Sequence, residues 1–325
     1  VAGGGNITRL TALTAGLSEE IPAVTLDLQC GSSLESIATA AAKIESGLAD
    51  LVIAGGFESS STQPFRMWNP NHPDYQEGKC YTVAKFIPDL QGEQVMLEGA
   101  EKTALTENVT KAEIDPWVLL SHKRAAQAAK EGILSDIQLS IEGSRKDEGI
   151  RPSMSQRLLD RLPYILPGGK VITAANACLM HDGAAFVVLC SEKYRKAHKL
   201  SPQAAFRFGT SIGSDPFMSP KTAVLAIRKL FKQTGLSIDE IDSLEVNEAF
   251  AVIDVLLERE FPGIRDRLNP LGGALAYGHP YGASGAIILL HLLKNLQVNK
   301  GRFGICGVAA AGGIGTSLLV ERVKA

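Results

Sequence analysis

The chain contains two segments that follow the same order of elements, and this repeat constrains its fold more than any other feature. Residues 23–61 read as an apolar strand, a Cys-Gly turn, a helix and a second strand that ends in a Gly-Gly turn. Residues 268–321 read as the same order, with a His-Pro turn in place of the Cys-Gly turn. Both helices are small or apolar on nearly every side, which indicates burial between layers. The repeat predicts two similar α/β halves that enclose a shared layer of helices.

The repeat also predicts how the chain is divided. Residues 205–325 form the second half, in which a strand, a helix and another strand precede the His-Pro turn. Residues 1–61 form the first half. Because only 29 residues precede Cys30, we expect its first strand and helix to be absent and the sequence to be incomplete at its N-terminus. Residues 62–180 are predicted as an inserted loop domain, after which about 181–204 complete the first half.

Composition and charge exclude several classes of protein. The chain has 325 residues, of which 45% are hydrophobic, and its formal net charge of −2 gives no long-range field for nucleic acid or anionic lipid. No apolar run is long enough to cross a membrane, and the first residues are unlike a signal peptide. Five cysteines without C-x-x-C pairing indicate reduced thiols rather than a zinc site or a disulfide framework. We therefore predict a cytoplasmic protein that binds no metal, nucleic acid or membrane.

Two residues in equivalent turns of the repeat are candidates for nucleophilic catalysis. Cys30 lies between a strand and a helix, where free N–H groups and the helix dipole favour a thiolate. His279 occupies the matching turn of the second half, so pseudo-twofold packing of the halves would bring its imidazole to the thiol. The sequence leaves two alternatives open, an inert buried cysteine and a histidine that caps its own turn.

A third candidate follows the strand that ends at Val246. Asn247 is suited to cap the next helix, and its amide is also suited to hold a water molecule or a substrate carbonyl in an oxyanion hole. Glu248 is either a general base or an acidic residue in the first turn of that helix. The remaining histidines lack metal-ligand spacing and are interpreted as structural or surface residues: His72, His122, His181, His198 and His291.

Five blocks along the chain, taken in order, resemble the thiolases, the family of acetyl-CoA acetyltransferases and 3-ketoacyl-CoA thiolases. They are "QCGSS" at Cys30, "VIAGGFES" from Val52, "VNEAFA" from Val246, "GGALAYGHPYGASGA" from Gly272 and "AAGGIGTSLLVE" from Ala310. The resemblance implies a thiolase-like five-layered αβαβα sandwich of two similar halves with an inserted loop domain. It also implies a homodimer or homotetramer of lipid metabolism that uses coenzyme A thioesters as substrates and has no prosthetic group.

The resemblance also implies a role for individual residues. Cys30 is acylated by an acyl-CoA, and His279 activates its thiol. His279 and a water molecule held by Asn247 form one oxyanion hole, and the backbone N–H groups of Cys30 and Ala311 form a second. Arg151 is assigned to the adenine end of coenzyme A. The pantetheine channel is assigned to Ala174, Ala177, Cys178, Met180 and Phe250.

The chain departs from the family at the residue that handles the proton of the substrate α-carbon. Thiolases carry a cysteine there, in a "CxGGG" segment, but alignment without gaps puts Ala309 at that cysteine and Ala311 at the following glycine. Cys306 lies three residues upstream on a strand, where an odd shift points to the opposite face. Ala249 leaves the "NEAF" loop without a thiol. Cys178, on the pantetheine side, is an alternative source of a thiol. We therefore expect acyl transfer to survive more easily than carbon–carbon bond chemistry.

These observations predict an acyl-CoA acyltransferase of the thiolase type, an acetyl-CoA C-acetyltransferase or 3-ketoacyl-CoA thiolase that works through an acyl-cysteine. One alternative is a thiolase-like protein with impaired carbon–carbon chemistry that only transfers or hydrolyses acyl groups. A second is a non-catalytic protein that binds coenzyme A beside an active relative.

Overall fold

A computed structural model describes residues 5–323 of the chain, except residues 84, 89–91, 93 and 142. In these residues the helices are α1 (Ile7–Thr14), α2 (Ser32–Glu45), α3 (Val95–Thr106), α4 (Lys111–Glu131), α5 (Gln156–Leu159), α6 (Glu192–Ala197), α7 (Thr222–Thr234), α8 (Val252–Glu260), α9 (Ala274–Tyr277) and α10 (Ser284–Asn299). The strands are β1 (Leu51–Glu58), β2 (Gly183–Cys190), β3 (Ala204–Gly213), β4 (Ser243–Val246), β5 (Phe303–Ala310) and β6 (Ile314–Arg322). Short 3₁₀ turns cover Gln29–Gly31, Pro216–Lys221 and Ile238–Glu240.

The strands form two sheets. Strands β1 and β2 pair antiparallel, with Leu51 opposite Cys190 and Glu58 opposite Gly183. The second sheet has the order β3-β6-β5-β4, in which β4 runs parallel to β5 and the other neighbours are antiparallel. Every residue of β4 is buried, and all but the first of β5. This continuous burial is typical of strands covered on both faces, and the sequence of β5 is accordingly small or apolar throughout. Strand β4 alternates polar and apolar residues, and its polar residues Ser243 and Glu245 are buried as well.

Helices α2 and α10 lie side by side between the two sheets, as the apolar helices of the repeat predict. Helix α2 packs on β1, and α10 packs on β5 and β2. Helix α7 covers the opposite face of the second sheet. In the described residues this gives four successive layers, a sheet, a pair of helices, a second sheet and an outer helix. The other face of the first sheet exposes Ile53, Phe186 and Val188.

The first turns of α2 and α10 touch each other at a glycine. A Cβ atom added to Gly285 would lie 2.5 Å from the backbone nitrogen of Leu34. The backbone N–H of Ala286 donates to the Oγ of Ser33 at 3.0 Å, which fixes the register of the two helices. Cys30 and His279 each precede one of these helices by a few residues, so this contact holds the two turns at the same end of the helix pair.

We expect Gly285→Ala to destabilise the protein, because its new methyl group meets backbone rather than a movable side chain. Overpacking of this kind costs about 3 kcal/mol of unfolding free energy. The urea midpoint measures the loss. Gly213→Ala is the matched control, since an added Cβ there meets no atom within 4 Å. An unchanged midpoint in Gly285→Ala would contradict the close contact between the helices.

Two predicted strands are wrong. Residues 22–28 join no sheet before the turn that carries Cys30, and residues 269–273 form a loop before α9. A strand needs a partner for its backbone N–H and C=O groups. In the described structure residues 22–28 pair with no strand, and a single bridge to the edge strand β4, between Leu268 and Leu244, directly precedes the second segment. Val24 and Leu26, the apolar residues that suggested the first strand, are exposed.

The strand and glycine turn predicted near the C-terminus are confirmed. Strands β5 and β6 form a hairpin whose loop is Ala311, Gly312 and Gly313. Both glycines are in the left-handed region, with φ of 80° and 74°. A side chain at Gly313 would also meet the carbonyl oxygen of Ser214 at 2.4 Å. The tight turn therefore requires glycine, and Ala311 lies at the end of the sheet.

The segment between the halves is mainly helical where it is described. Helix α4 begins with a capping box, in which the Thr110 side chain and the Glu113 side chain each bond the other's backbone N–H, and it ends at Gly132 in the left-handed conformation. The proposed domain boundaries remain a prediction. Across the described residues, the structure has no helix with the length and apolar character needed to span a membrane.

Candidate active site

Cys30 lies in a short turn whose conformation is held by local hydrogen bonds. The backbone N–H of Gln29 donates to Asp27 Oδ1 at 2.9 Å, and that of Leu28 donates to Ser32 Oγ at 2.9 Å. Gln29 has a φ of 48°, an unusual conformation for a residue other than glycine. The side chain of Cys30 is 7% exposed and lines a cavity of about 1290 Å³. The cysteine is thus buried by protein and still faces an open space.

His279 lines the same cavity from the turn between α9 and α10. Its Nδ1 is 2.6 Å from the Oγ of Ser284, and that hydroxyl donates to the carbonyl oxygen of Pro280 at 3.1 Å. Because the Ser284 hydrogen is used in this way, its oxygen accepts the proton of Nδ1. This tautomer leaves Nε2 of the imidazole unprotonated, so Nε2 is able to act as a base.

Asn247 is the residue that faces Nε2 of His279. Its Nδ2 lies 3.3 Å from that nitrogen, and its backbone N–H donates to Gly307 at 3.0 Å. The interpretation of Asn247 as a helix cap is wrong, because α8 begins at Val252 and Ala251 occupies the cap position. The Oδ1 of Asn247 is buried and has no hydrogen-bond partner among the described residues. A buried acceptor without a partner is a natural place for a water molecule or a ligand donor.

Burial keeps the candidate nucleophile and base uncharged. It raises the pKa of the Cys30 thiol to about 12, and the backbone N–H groups of Ala311 and Cys30 only partly oppose this effect. Burial also lowers the pKa of His279 to about 3. The N–H groups therefore favour the thiolate, as expected, but the loss of water around Cys30 outweighs them. At neutral pH the pair consists of a thiol and a neutral imidazole.

Most of the sequence-predicted site residues are brought together around this cavity. Its lining includes Ala174, Ala177, Cys178, Met180, Phe250, Ala309 and Ala311, in addition to Cys30 and His279. Arg151 is not among them. It lines a second cavity of about 1130 Å³ with His122 and Lys123, and its backbone N–H donates to His122 Nδ1 at 3.2 Å.

Sequence reasoning missed three residues that shape the site. Tyr281 lines the cavity and packs edge-on against the His279 ring, with a centroid distance of 4.9 Å. Glu58 accepts a hydrogen bond from the backbone N–H of Gly282 at 3.1 Å, which ties the end of β1 to the His-Pro turn. Ser284 orients the imidazole. Their place in the sequence could have indicated them, since Glu58 follows the Gly-Gly turn and Tyr281 and Ser284 follow the His-Pro turn.

Glu248 belongs to a separate buried network. It accepts hydrogen bonds from Ser121 Oγ at 2.6 Å, Asn269 Nδ2 at 3.1 Å and the backbone N–H of Leu275 at 3.3 Å. It lies before the first turn of α8, so the first-turn interpretation is wrong. These bonds join helix α4, helix α9 and the loop between α8 and α9. They indicate a structural role rather than that of a general base.

Two further carboxyl groups near Glu248 are buried without hydrogen-bond partners. Both oxygens of Glu245 and both of Asp254 lack a partner in the described part of the chain. Burial raises the pKa of each group well above its usual range, and the charge of Glu248 raises both further. Within that part, no group of three or more His, Cys, Asp or Glu residues is arranged to hold a metal ion.

We expect Asp254→Asn to make stability less sensitive to alkaline pH. A carboxyl whose folded pKa is raised stabilises the fold below its unfolded pKa, near 4, and loses that contribution as the pH rises. Asparagine does not titrate, so the variant does not lose stability in this way as the pH rises. The unfolding free energy of the variant minus that of the parent should therefore increase by roughly 1–3 kcal/mol between pH 5 and pH 8. Urea unfolding at both pH values measures the difference. Asp239→Asn, at an exposed carboxylate, is the control. A pH-independent difference would contradict the prediction.

Family models match both halves of the chain. The model described as "Thiolase, N-terminal domain" matches residues 2–193, and "Thiolase, C-terminal domain" matches residues 200–322. A steroid 3-ketoacyl-CoA thiolase, FadA6 of Mycobacterium tuberculosis, is 34% identical over 98% of this chain and 79% of its own length. A beta-ketoadipyl-CoA thiolase of Escherichia coli is 33% identical over 98% of this chain and 84% of its own.

Solved structures give the same result for the fold. Human mitochondrial 3-ketoacyl-CoA thiolase in complex with CoA matches with a TM-score of 0.89 and 30% identity, over 98% of this chain and 82% of that one. The acetyl-CoA acetyltransferase of Bacillus anthracis matches with a TM-score of 0.90 and 29% identity, over 99% and 84% of the two chains. The predicted fold class is thereby confirmed, and the chain belongs to the thiolase family.

Proposed function

We propose that this thiolase-family protein is an acyltransferase that moves acyl groups of coenzyme A thioesters through an acyl intermediate on Cys30. Its nominal activity is that of an acetyl-CoA C-acetyltransferase or 3-ketoacyl-CoA thiolase. One observation carries the proposal. Cys30 and His279 lie in different halves of the chain and line a single cavity, with Asn247 against the imidazole.

The first step follows from the protonation states of this pair. As the Cys30 sulfur forms a bond to the thioester carbonyl carbon, its proton moves to Nε2 of His279. The carbonyl electron pair becomes an oxyanion, for which the Nε2–H and a water held by Asn247 form one donor set. The backbone N–H groups of Cys30 and Ala311, which lie at the Cys30 sulfur, form a second donor set. The CoA sulfur leaves with the electron pair of the broken bond and takes the proton from the imidazolium.

The ligand is proposed from the lining and from the relatives. Met180 and Phe250 give the wall of the cavity apolar surface that suits the pantetheine arm, and Arg151, which lines the second cavity, is assigned to the adenine end. The chemistry requires no prosthetic group. We also propose a homodimer or homotetramer in the cytoplasm, from the resemblance and from the unpaired thiols.

Peptide mass mapping after incubation with acetyl-CoA tests the proposal. We expect one acetyl group on the peptide that contains Cys30, and we expect added CoA to remove it. Thiolysis of acetoacetyl-CoA by CoA then tests the carbon–carbon step. An unmodified Cys30 would overturn the proposal and favour a non-catalytic CoA-binding protein.

Ala309 supports a second candidate, because its methyl group has no proton to exchange with a substrate and lines the cavity. A protein limited to acyl transfer or hydrolysis would acquire the Cys30 adduct and show no thiolysis. The two assays together therefore separate the nominal activity from this reduced one.

A further inference from the structure

We propose that Cys178 is the acid and base for the α-carbon of the substrate in the carbon–carbon step. This inference rests on the proposed function and deepens it. It assigns to a thiol on the channel wall the proton transfer for which Ala309 carries no group.

Backbone hydrogen bonds fix the position of Cys178 between the loops that carry Asn247 and His279. The N–H of Cys178 donates to the carbonyl of Ala249 at 3.0 Å, and the N–H of His279 donates to the carbonyl of Leu179 at 2.8 Å. Residues 176–180 thus form a strip that joins the two loops. Cys178 lies at the middle of the strip. Its backbone is therefore held in place relative to the loops of both Asn247 and His279.

The side chain of Cys178 lies on the side of this strip that lines the cavity. It is partly exposed, lines the cavity together with Cys30, and packs against the apolar cluster that contains Ala249 and Ala309. Cys306 differs in each respect. It is fully buried, belongs to the other cluster with Leu292 and Leu318, and does not line the cavity.

Few groups around the cavity can hold a proton beside the reacting carbon. His279 serves Cys30. The other proton-carrying side chains of the described wall that interact with Cys30 include the thiol of Cys178, the phenol of Tyr281 and the carboxyl of Glu58, and the last already accepts a backbone N–H of the His-Pro turn. Burial, and then the charge of a Cys30 thiolate, raise the pKa of Cys178. Cys178 is therefore a thiol before reaction, which is the form needed to donate a proton.

The proton and electron balance closes in the thiolytic direction. The Cys30 sulfur bonds to the β-carbonyl carbon of a 3-ketoacyl-CoA, its proton goes to His279, and the bond between the α- and β-carbons breaks. The electron pair of that bond stays on the α-carbon, which takes the proton of Cys178. The resulting Cys178 thiolate accepts the thiol proton of the incoming CoA. The CoA sulfur bonds to the acyl carbon, the bond to Cys30 breaks, and His279 returns its proton to the Cys30 sulfur.

The test compares two rates in each protein, acetylation of Cys30 by acetyl-CoA and exchange of the acetyl-CoA α-hydrogens with D₂O. The ratio of exchange to acetylation cancels changes in CoA affinity, which matters because Cys178 lines the channel. We expect Cys178→Ala to lower this ratio by about 10²-fold or more, since a positioned acid or base contributes that much. Cys178→Ser keeps the size of the side chain and should lower it as well, because a hydroxyl is a weaker acid than a thiol and does not form the anion that accepts the α-proton.

Two companion variants make the test specific. Cys190→Ala removes a partly buried thiol that does not line the cavity and should leave the ratio unchanged. Cys178→Ala with Ala309→Cys should regain most of the exchange, since a thiol then returns to the cavity wall. An unchanged ratio in both Cys178 variants, or an equal fall in Cys190→Ala, would overturn the inference.

The failure of this inference can be told from the failure of the proposed function. A parent protein that is acetylated on Cys30 and exchanges no α-hydrogen refutes the role of Cys178 and leaves acyl transfer intact. A parent that is not acetylated refutes the proposed function itself, and the role of Cys178 with it.

Discussion

Replacing Cys30 by serine should abolish the acetyl adduct and lower acyl transfer from acetyl-CoA on the order of 10⁴-fold or more. The substitution keeps the size of the side chain and its place in the turn. A serine hydroxyl is a weaker nucleophile than a thiol and holds its proton more strongly, so the neutral imidazole of His279 cannot compensate. Quenched-flow acylation followed by peptide mass mapping measures both effects.

Cys80→Ser is the matched control for this experiment. Cys80 is an exposed free thiol and is not part of the cavity lining, so its loss should leave the adduct unchanged. Acyl transfer that is unaffected in Cys30→Ser, or an adduct that moves from Cys30 to Cys80 under normal turnover, would contradict the assignment of the nucleophile.

The sequence was most informative where burial is complete. Helix α10 is apolar on nearly every side and α2 is small or apolar over most of its surface, so both were predicted to lie between two layers, and they do. The turn after β5 was equally predictable, because glycine is the residue that most readily takes a positive φ, as Gly312 and Gly313 both do. The predicted strand before Cys30 failed for the opposite reason. Whether an apolar segment becomes a strand depends on a neighbour, which local sequence does not specify.

The same distinction applies to the site. The repeat predicted that Cys30 and His279 occupy matching turns, and both turns do face one cavity. It could not predict the charge state of the pair, because pKa values depend on how much water the folded walls exclude. Nor could it predict the contacts of Tyr281 and Ser284, since these follow from the angle at which α10 leaves the His-Pro turn.

The charge state leads to the second large effect, which concerns pH. A neutral imidazole whose pKa is lowered to about 3 stays unprotonated between pH 5 and pH 9, and a thiol whose pKa is raised to about 12 stays protonated over that range. Acylation through His279 should therefore be nearly independent of pH. A solvent-exposed histidine would instead lose its basic form below its usual pKa of about 6.5.

We expect His279→Gln to slow acylation of Cys30 at pH 7 by about 10³-fold, because the amide cannot accept the thiol proton. The residual rate should also depend on pH, rising about tenfold per unit, since it must use the small fraction of free thiolate. Acylation rates of the parent and the variant from pH 5 to pH 9 measure both effects, with His198→Gln, at an exposed histidine, as the control. A flat profile in His279→Gln would mean that another base activates Cys30. A parent profile that falls through pH 6.5 would mean that the imidazole is in contact with water during the reaction.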